Sequence, residues 1–193
     1  VLFATGLYNT MPSNAYSEIL NKIRENMTVW SYDTRSPLKA KSIENILTHI
    51  HEDRISYIGH SSFSTTLFQT SAIDRFVFLD PAILPNGINF TTKHFNKPVL
   101  QINKPVLFLN AEYTYSNSVP FIPNAFKPSI TDVPTHIFKN VGHADILDDP
   151  FADICNSIGI RGHTSKRRKQ FRELYRTKVY NHICDFLLDT PFG

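Results

Sequence analysis

Ile55-Ser56-Tyr57-Ile58-Gly59-His60-Ser61-Ser62-Phe63-Ser64-Thr65-Thr66 is the stretch of sequence that decides the fold. Its first four residues predict a short apolar strand, and Gly59-His60-Ser61 follows at once. A strand that turns sharply at a serine and continues as a helix has the layout of a nucleophile elbow. Such a turn exposes the serine hydroxyl above the sheet edge and directs the next backbone N–H at a substrate. We therefore predict a nucleophile at Ser61 and a short helix from about Ser62 to Ser71.

The residues around the serine meet the steric demands of an elbow on one side only. Its strained backbone favours small residues two positions before and two positions after the nucleophile. Gly59 satisfies the first demand, whereas Phe63 is large where the second demand applies. The neighbouring Ser62 is the weaker candidate nucleophile, because His60 would then stand where a small residue is needed.

Strands and helices alternate along the rest of the chain, and the strands are almost continuously apolar. This pattern predicts an α/β fold with a mostly parallel sheet of about six strands and helices on both faces. No repeat or composition break divides the chain, so we expect a single domain over residues 1–193. The predicted strands are Val1–Thr5, Met27–Tyr32, Ile55–Ile58, Arg75–Leu79, Pro105–Asn110 and Thr135–Phe138. The predicted longer helices are Ser13–Asn26, Lys39–His51 and Arg167–Leu188.

Composition narrows the class of protein. With 193 residues, 41% hydrophobic and 19% charged, the chain has the balance of a globular domain and not of a disordered one. The net charge of +3 is too small to indicate a polyanionic partner by itself. No apolar run approaches the length of a membrane span. Residue 1 already lies in a strand-like run, so we expect any targeting segment to lie outside this sequence, and the localisation is not indicated.

Polar residues that could carry chemistry follow the predicted strands. Ser61, Asp80 and His143 come in that order, each just past a strand end. A serine hydrolase needs a hydroxyl, an imidazole that takes and returns its proton, and a carboxylate that orients the imidazole. We predict Ser61 as nucleophile, His143 as base and Asp80 as acid, with Glu112 after the next strand as the alternative acid.

Two backbone N–H groups are the candidates for an oxyanion hole. Leu7 follows the first strand and Ser62 follows the nucleophile, so their N–H groups can point at a developing negative charge. The regions from Ala82 to Lys104 and from Tyr113 to Pro134 are rich in proline and aromatic residues. We expect an acyl pocket or a rudimentary lid there.

Two clusters of charged residues towards the C-terminus could bind a metal ion or a polyanion, but helix capping and helix packing explain them more simply. Asp145, Asp148 and Asp149 follow a strand and precede a helix, where carboxylates more often cap the helix than bind a metal ion. A basic run could bind nucleic acid or an anionic membrane, but it also carries apolar residues at helical spacing. We favour a final helix packed on the sheet, with at most a weak attraction to anionic membranes. The basic residues are Arg161, Lys166, Arg167, Arg168, Lys169, Arg172, Arg176 and Lys178.

Several motifs together resemble those of a known family. Gly59-His60-Ser61 with Thr65-Thr66, Phe78-Leu79-Asp80-Pro81 and the strand Pro105 to Tyr113 are similar to segments of the α/β-hydrolases. Gly142-His143-Ala144-Asp145-Ile146-Leu147-Asp148-Asp149 is the most specific match, to the chlorophyllases. Thr5-Gly6-Leu7 stands where the family has its oxyanion turn. The chain therefore resembles the branch that contains chlorophyllases and plasma-type platelet-activating-factor acetylhydrolases.

This resemblance implies an α/β-hydrolase fold with a minimal cap, lacking the N-terminal edge strands that the family has. It also implies a lipase-like serine esterase that cleaves a small hydrophobic ester or lipid, needs no cofactor or metal, and uses Asp80 in preference to Glu112. Two other functions stay open: a non-catalytic binding protein of the same fold, and an anionic-surface binder that uses the basic helix. We do not expect nucleic acid as a partner, and the oligomeric state is not indicated.

Overall fold

A parallel β-sheet forms the centre of the described part of the chain. The computed structural model describes residues 1–6, 11–31, 45–64, 70–84, 104–113, 134–157 and 168–188. The strands are β1 (Leu2–Ala4), β2 (Trp30–Ser31), β3 (Ile55–Ser64), β4 (Ile73–Leu84), β5 (Val106–Tyr113) and β6 (Thr135–Gly142). The helices are α1 (Ser17–Arg24), α2 (Asp149–Ser157) and α3 (Arg168–Leu188), with 3-10 helices at Ser13–Tyr16 and His143–Ile146.

The strand order places a switch point between β1 and β3. The order in the sheet is β2-β1-β3-β4-β5-β6, and each neighbouring pair is parallel. The chain thus adds β2 on one side of β1 and then builds outward from the other side. In open α/β sheets, sites form outside the carboxyl ends of the strands where the order reverses in this way. Here Gly6 lies just after β1, and Ser61 lies in the last part of β3.

Apolar residues cover both faces of the sheet. Successive residues of a strand point to opposite faces, so Leu2 and Phe3 enter different cores. One core lies under α1 and α3, and the other is completed by Leu47 and Ile50. Residues of the first core include Phe3, Ile19, Ile23, Ile58, Val77, Leu107, Val179 and Ile183. Residues of the second core include Leu2, Tyr57, Phe76, Phe78 and Phe108.

All six predicted strands are present in this sheet, but four extend further than predicted. The helix predicted from Ser62 is wrong in its described parts, since Ser62–Ser64 continue β3 and residues 70–71 are not helical. Ser62, Phe63 and Ser64 pair with Ala82–Leu84, which the sequence places in a loop but which belong to β4. Pairing satisfies these backbone groups, and a run of serine, phenylalanine and threonine has no strong helix former to oppose it.

The predicted helices agree with the structure to different extents. The first begins as the 3-10 helix and ends at Arg24, and the last agrees within one residue. The helix predicted at Lys39–His51 is helical at residues 45–47, and its first part lies outside the described residues. Helix α2 was anticipated only as a helix start near the acidic residues, without bounds, and Pro150 in its first turn suits such a start. No helix in the described ranges is long and apolar enough to cross a membrane.

Candidate active site

The serine of the elbow lies at an irregularity in the β3–β4 pairing. His60 pairs with Leu79 and Ser62 with Ala82, so Ser61 alone lies opposite both Asp80 and Pro81. Ser61 has a φ of 62° and Asp80 a φ of 43°. Left-handed backbone costs a residue with a side chain roughly 1–2 kcal/mol. Such strain concentrates at functional sites, where the surrounding structure enforces it.

Ser61, His143 and Asp80 form a continuous hydrogen-bonded chain. Nε2 of His143 lies 3.0 Å from Oγ of Ser61, and Nδ1 lies 2.5 Å from Oδ2 of Asp80. The second carboxylate oxygen of Asp80 accepts the N–H of Ala111 at 3.3 Å. All three side chains are buried, with 3–6% exposure. When Nδ1 carries the proton, His143 donates to Asp80 and accepts from the serine hydroxyl, which readies it to act as a base.

Glu112 has other partners. Its Oε2 accepts the N–H of Asn140 at 2.8 Å, and its Oε1 lies 3.3 Å from the ammonium of Lys139. The hydrogen bond from Asn140, and then Lys139, lower the pKa of this carboxyl group. The described contacts therefore place Asp80, and not Glu112, beside His143.

The turn that carries His143 is fastened by a buried ion pair. Oδ2 of Asp145 accepts the N–H of Gly142 at 2.7 Å, and Oδ1 accepts Nε of Arg172 at 3.0 Å. Asp145 is fully buried and Arg172 is 1% exposed. The guanidinium group also contacts Asp153 at 2.9 Å. Helix α3 thus fixes the backbone on both sides of His143.

The other two acids of this segment also have protein partners. The carboxylate of Asp148 accepts the N–H groups of Ser17 and Glu18, each at 3.0 Å, and so caps α1. Asp149 contacts Arg176 at 3.3 Å. The capping role that the sequence suggested is correct for Asp148, although the helix it caps is α1 and not the one that follows.

His60 and Tyr16 join the site without a signal in the sequence. Nδ1 of His60 lies 2.7 Å from the Tyr16 hydroxyl, and its ring stacks on His143 with 4.7 Å between centroids. Burial, followed by the neighbouring His143, lowers the pKa of His60 well below its ordinary value. His143 is the histidine for which the sequence predicted a role in the site, and His60 carried no such signal. Forty-four positions separate His60 from Tyr16, so no local spacing could have linked them.

Of the two residues predicted to donate N–H groups to an oxyanion, one lies among the described residues. Ser62 directly follows Ser61 within β3, whereas Leu7 lies outside the described residues. Its neighbour Gly6 is adjacent to the serine, because a Cβ added to Gly6 would lie 3.6 Å from Cβ of Ser61. Both predicted pocket loops lie outside the described residues, apart from Ala82–Leu84, Lys104, Tyr113 and Pro134 at their ends.

Two residues of the basic run are not on the surface. Arg172 and Arg176 are each 1% exposed, and Arg176 binds the carbonyl oxygen of Leu147 and the carboxylates of Glu18 and Asp149. Lys169 and Lys178 are exposed. The two arginines therefore serve packing of α3, and residues 161–167 lie outside the described residues.

Comparison with known proteins identifies the architecture. No protein-family model matches the sequence, and no curated protein is significantly similar to it. The esterase domain of a Rhodothermus marinus protein superposes with a TM-score of 0.50 at 11% identity, covering 81% of this chain and 82% of that one. The chain has the α/β-hydrolase fold. A YdeN-like hydrolase from Pectobacterium atrosepticum gives a TM-score of 0.46 at 14% identity, covering 93% and 90%.

In this α/β-hydrolase fold, the candidate residues lie in the carboxyl-terminal parts of two strands and directly after a third. Ser61 and Asp80 lie within their strands, and not past the strand ends as the sequence predicted. Ser61 lies at the switch-point strand β3, Asp80 lies in its neighbour β4, and His143 directly follows the outer strand β6. Chain order is serine, acid, histidine, as in other proteins of this fold that carry a triad. Asn140, three residues before His143, also has a positive φ of 61°. Each of the three strands that carry the site therefore leaves regular geometry close to its site residue.

Proposed function

We propose that the protein is a serine hydrolase that cleaves carboxylic esters through an acyl-enzyme. The hydrogen-bonded chain from Ser61 through His143 to Asp80 carries this proposal, with distances of 3.0 and 2.5 Å. A serine, an imidazole and a carboxylate in this arrangement can generate a nucleophile at neutral pH without a metal ion.

In the proposed reaction, Oγ of Ser61 attacks the ester carbonyl while its proton moves to Nε2 of His143. Asp80 stabilises the resulting imidazolium and holds its Nδ1–H. The N–H groups of Ser62 and Leu7 are the proposed donors to the oxyanion. Nε2 then returns the proton to the departing alkoxide. Water, deprotonated by His143, attacks the acyl-enzyme and restores the free serine, so that ester plus water gives acid plus alcohol.

The proposed substrate class is a small ester or lipid with a hydrophobic part. The similarity of Gly142–Asp149 to the chlorophyllase motif, and of Pro105–Tyr113 to the acetylhydrolase strand, supports this class. The Rhodothermus marinus relative in fold is described as an esterase domain, which agrees with it.

An anionic-surface function has weaker support. Arg172 and Arg176 belong to the basic run, yet both are buried among carboxylates. A buried guanidinium that is already paired cannot contact a phosphate group. Any attraction to anionic membranes would depend on exposed residues such as Lys169 and Lys178, at about 1 kcal/mol each.

Labelling with a fluorophosphonate probe tests the proposal. The wild-type protein should be labelled and should hydrolyse short p-nitrophenyl esters. Ser61→Ala should abolish labelling and reduce turnover by ~10⁴-fold or more. Ser71→Ala, at an exposed serine, is the matched control and should keep both. Labelling that persists in Ser61→Ala would exclude this serine. An unlabelled wild-type protein that binds anionic vesicles in a salt-sensitive manner would favour the surface function instead.

A further inference from the structure

His60 is the residue before the candidate nucleophile, and its side chain is buried, with 4% exposure. Each of its two ring nitrogens has a hydrogen-bond partner within the protein. Nδ1 lies 2.7 Å from the hydroxyl of Tyr16, and Nε2 lies 3.1 Å from the backbone carbonyl oxygen of His143. One side chain therefore joins the start of α1 to the histidine of the triad. The proposed reaction assigns no step to His60 or to Tyr16.

The partners fix the direction of each hydrogen bond. The carbonyl oxygen of His143 can only accept, so Nε2 of His60 carries a proton. The Tyr16 oxygen accepts the N–H of Gly6 at 2.8 Å and is left to donate its own proton to Nδ1. His60 is thus a neutral ring with a defined tautomer. The chain of donors runs from Gly6 through Tyr16 and His60 to His143.

The residues of this network are closely packed against one another. The rings of His60 and His143 stack with an interplanar angle of 27°, so His60 limits rotation of the base. A Cβ on Gly6 would come within 2.9 Å of the Tyr16 hydroxyl and 3.1 Å of Nδ1 of His60. Asp148, five residues after His143, caps α1 directly beside Tyr16. The turn carrying His143 and the strand end at Gly6 are therefore held in one fixed relation.

We propose that Tyr16 and His60 are positioning residues that hold the imidazole of His143 in line with Ser61, a role that rests on the ester hydrolysis proposed above. Neither side chain exchanges a proton with substrate. The stacked ring and the Nε2–H bond set the position of the base, and Tyr16 keeps His60 in the tautomer that can donate. Displacement of a catalytic group by about 1 Å can lower a rate about 100-fold.

Hydrolysis of p-nitrophenyl butyrate by paired variants tests the role. Tyr16→Phe and His60→Leu keep the bulk and remove the hydrogen bonds, so kcat should fall about 10- to 100-fold with KM within about twofold. His60→Gln keeps a donor at the reach of Nε2 and should retain kcat within about fivefold of wild type. Tyr180→Phe is the matched control, because it removes a tyrosine hydroxyl that contacts Asn26 and not the candidate site. Its kcat should be unchanged. Equal losses in His60→Gln and His60→Leu would overturn the role of the Nε2–H bond.

A second readout does not depend on turnover. The proton between His143 and Asp80 should give a downfield NMR resonance in the wild-type protein and in His60→Gln. It should broaden or shift in Tyr16→Phe and His60→Leu if these residues position the ring. If the wild-type protein hydrolyses no ester, the ester-hydrolase function fails by itself. In that case the resonance alone tests the positioning role. If it is unchanged in both Tyr16→Phe and His60→Leu, the positioning role is overturned; if it is lost in these variants, the role is supported.

Discussion

Ser61 and Asp80 reach His143 from left-handed backbone conformations on adjacent strands. Aspartate adopts positive φ more readily than most residues, whereas serine has no such advantage, and Asp80 also precedes a proline that disfavours helical backbone. Two unfavourable conformations side by side require compensation from their surroundings. The contacts of both side chains with His143 are consistent with a site selected for its geometry.

The choice of acid can be tested by two isosteric changes. Asp80→Asn should lower kcat/KM by roughly 10³–10⁴-fold, because an amide cannot stabilise the imidazolium or hold the required tautomer. Glu112→Gln should change kcat/KM by about twofold or less, since its carboxylate contacts Lys139 and Asn140 at the surface. Steady-state hydrolysis of the same ester measures both. A larger loss in Glu112→Gln than in Asp80→Asn would refute the assignment of Asp80.

At the scale of residues, the signals for the candidate site were local in the sequence. The positions of Ser61, Asp80 and His143 just past apolar runs indicated one shared edge, and the structure brings the three together. Tyr16 and His60 gave no such signal. A hydrogen bond between distant residues depends on tertiary packing, which hydrophobic periodicity does not encode.

At the scale of elements, α3 anchors the turn that carries His143. The sequence shows its basic residues, but the carboxylates that bind them lie in or beside α2 and α1. Burial lowers the pKa of the Arg172 guanidinium, and hydrogen bonds to Asp153 and Asp145 outweigh this effect and raise it. A charge count along one helix cannot distinguish a solvated face from one buried against acids elsewhere in the chain.

Two carboxylates that bind the same arginine should differ in their contribution to stability. Asp145→Ala should lower the free energy of unfolding by about 3–5 kcal/mol, because it leaves the buried Arg172 without its buried partner. Asp153→Ala should cost about 1 kcal/mol or less, since that carboxylate is 58% exposed. Urea unfolding gives both values. Equal costs would contradict the view that Asp145 is the anchor; if Asp145→Ala does not fold, Asp145→Asn replaces it and should cost more than Asp153→Ala.

The strand pair β3–β4 shows why the element that follows Ser61 was predicted wrongly. The resemblance to a known elbow favoured a helix directly after Ser61, yet Ser62–Ser64 remain paired with Ala82–Leu84. The large Phe63 replaces the small residue that helps a tight strand-to-helix turn. Backbone pairing with an extended β4 is then the alternative that satisfies these groups.

At the scale of the whole molecule, alternation of apolar strands and amphipathic helices was sufficient to predict the sheet. Residues of β1, β3, β4 and β5 alternate between the two cores, so burial specifies the register of these four strands. The switch point between β1 and β3 then follows from the order of strands, and it brings Gly6 next to Ser61. What the sequence could not supply is the polar network that crosses between these strands.

That network makes the stability of the whole molecule depend on pH. His60 is buried in its neutral form, and burial and His143 lower its pKa well below the ordinary value near 6.5. As the pH falls below about 6.5, the unfolded chain binds a proton at this residue that the folded protein does not, so folding becomes less favourable. His60 alone should reduce the free energy of unfolding by about 1 kcal/mol between pH 6.5 and 5.5. Urea unfolding across this range measures the change.

Two histidine variants isolate the contribution of His60 to this acid sensitivity. His60→Gln removes the titrating group, so its free energy of unfolding should fall about 1 kcal/mol less than that of the wild-type protein between pH 6.5 and 5.5. His51→Gln, at an exposed histidine, should keep the full wild-type dependence. If His60→Gln and His51→Gln respond alike to pH, His60 is not held neutral in the folded protein. The tautomer that links Tyr16 to His143 would then need to be reassigned, because a protonated ring could not accept the Tyr16 proton.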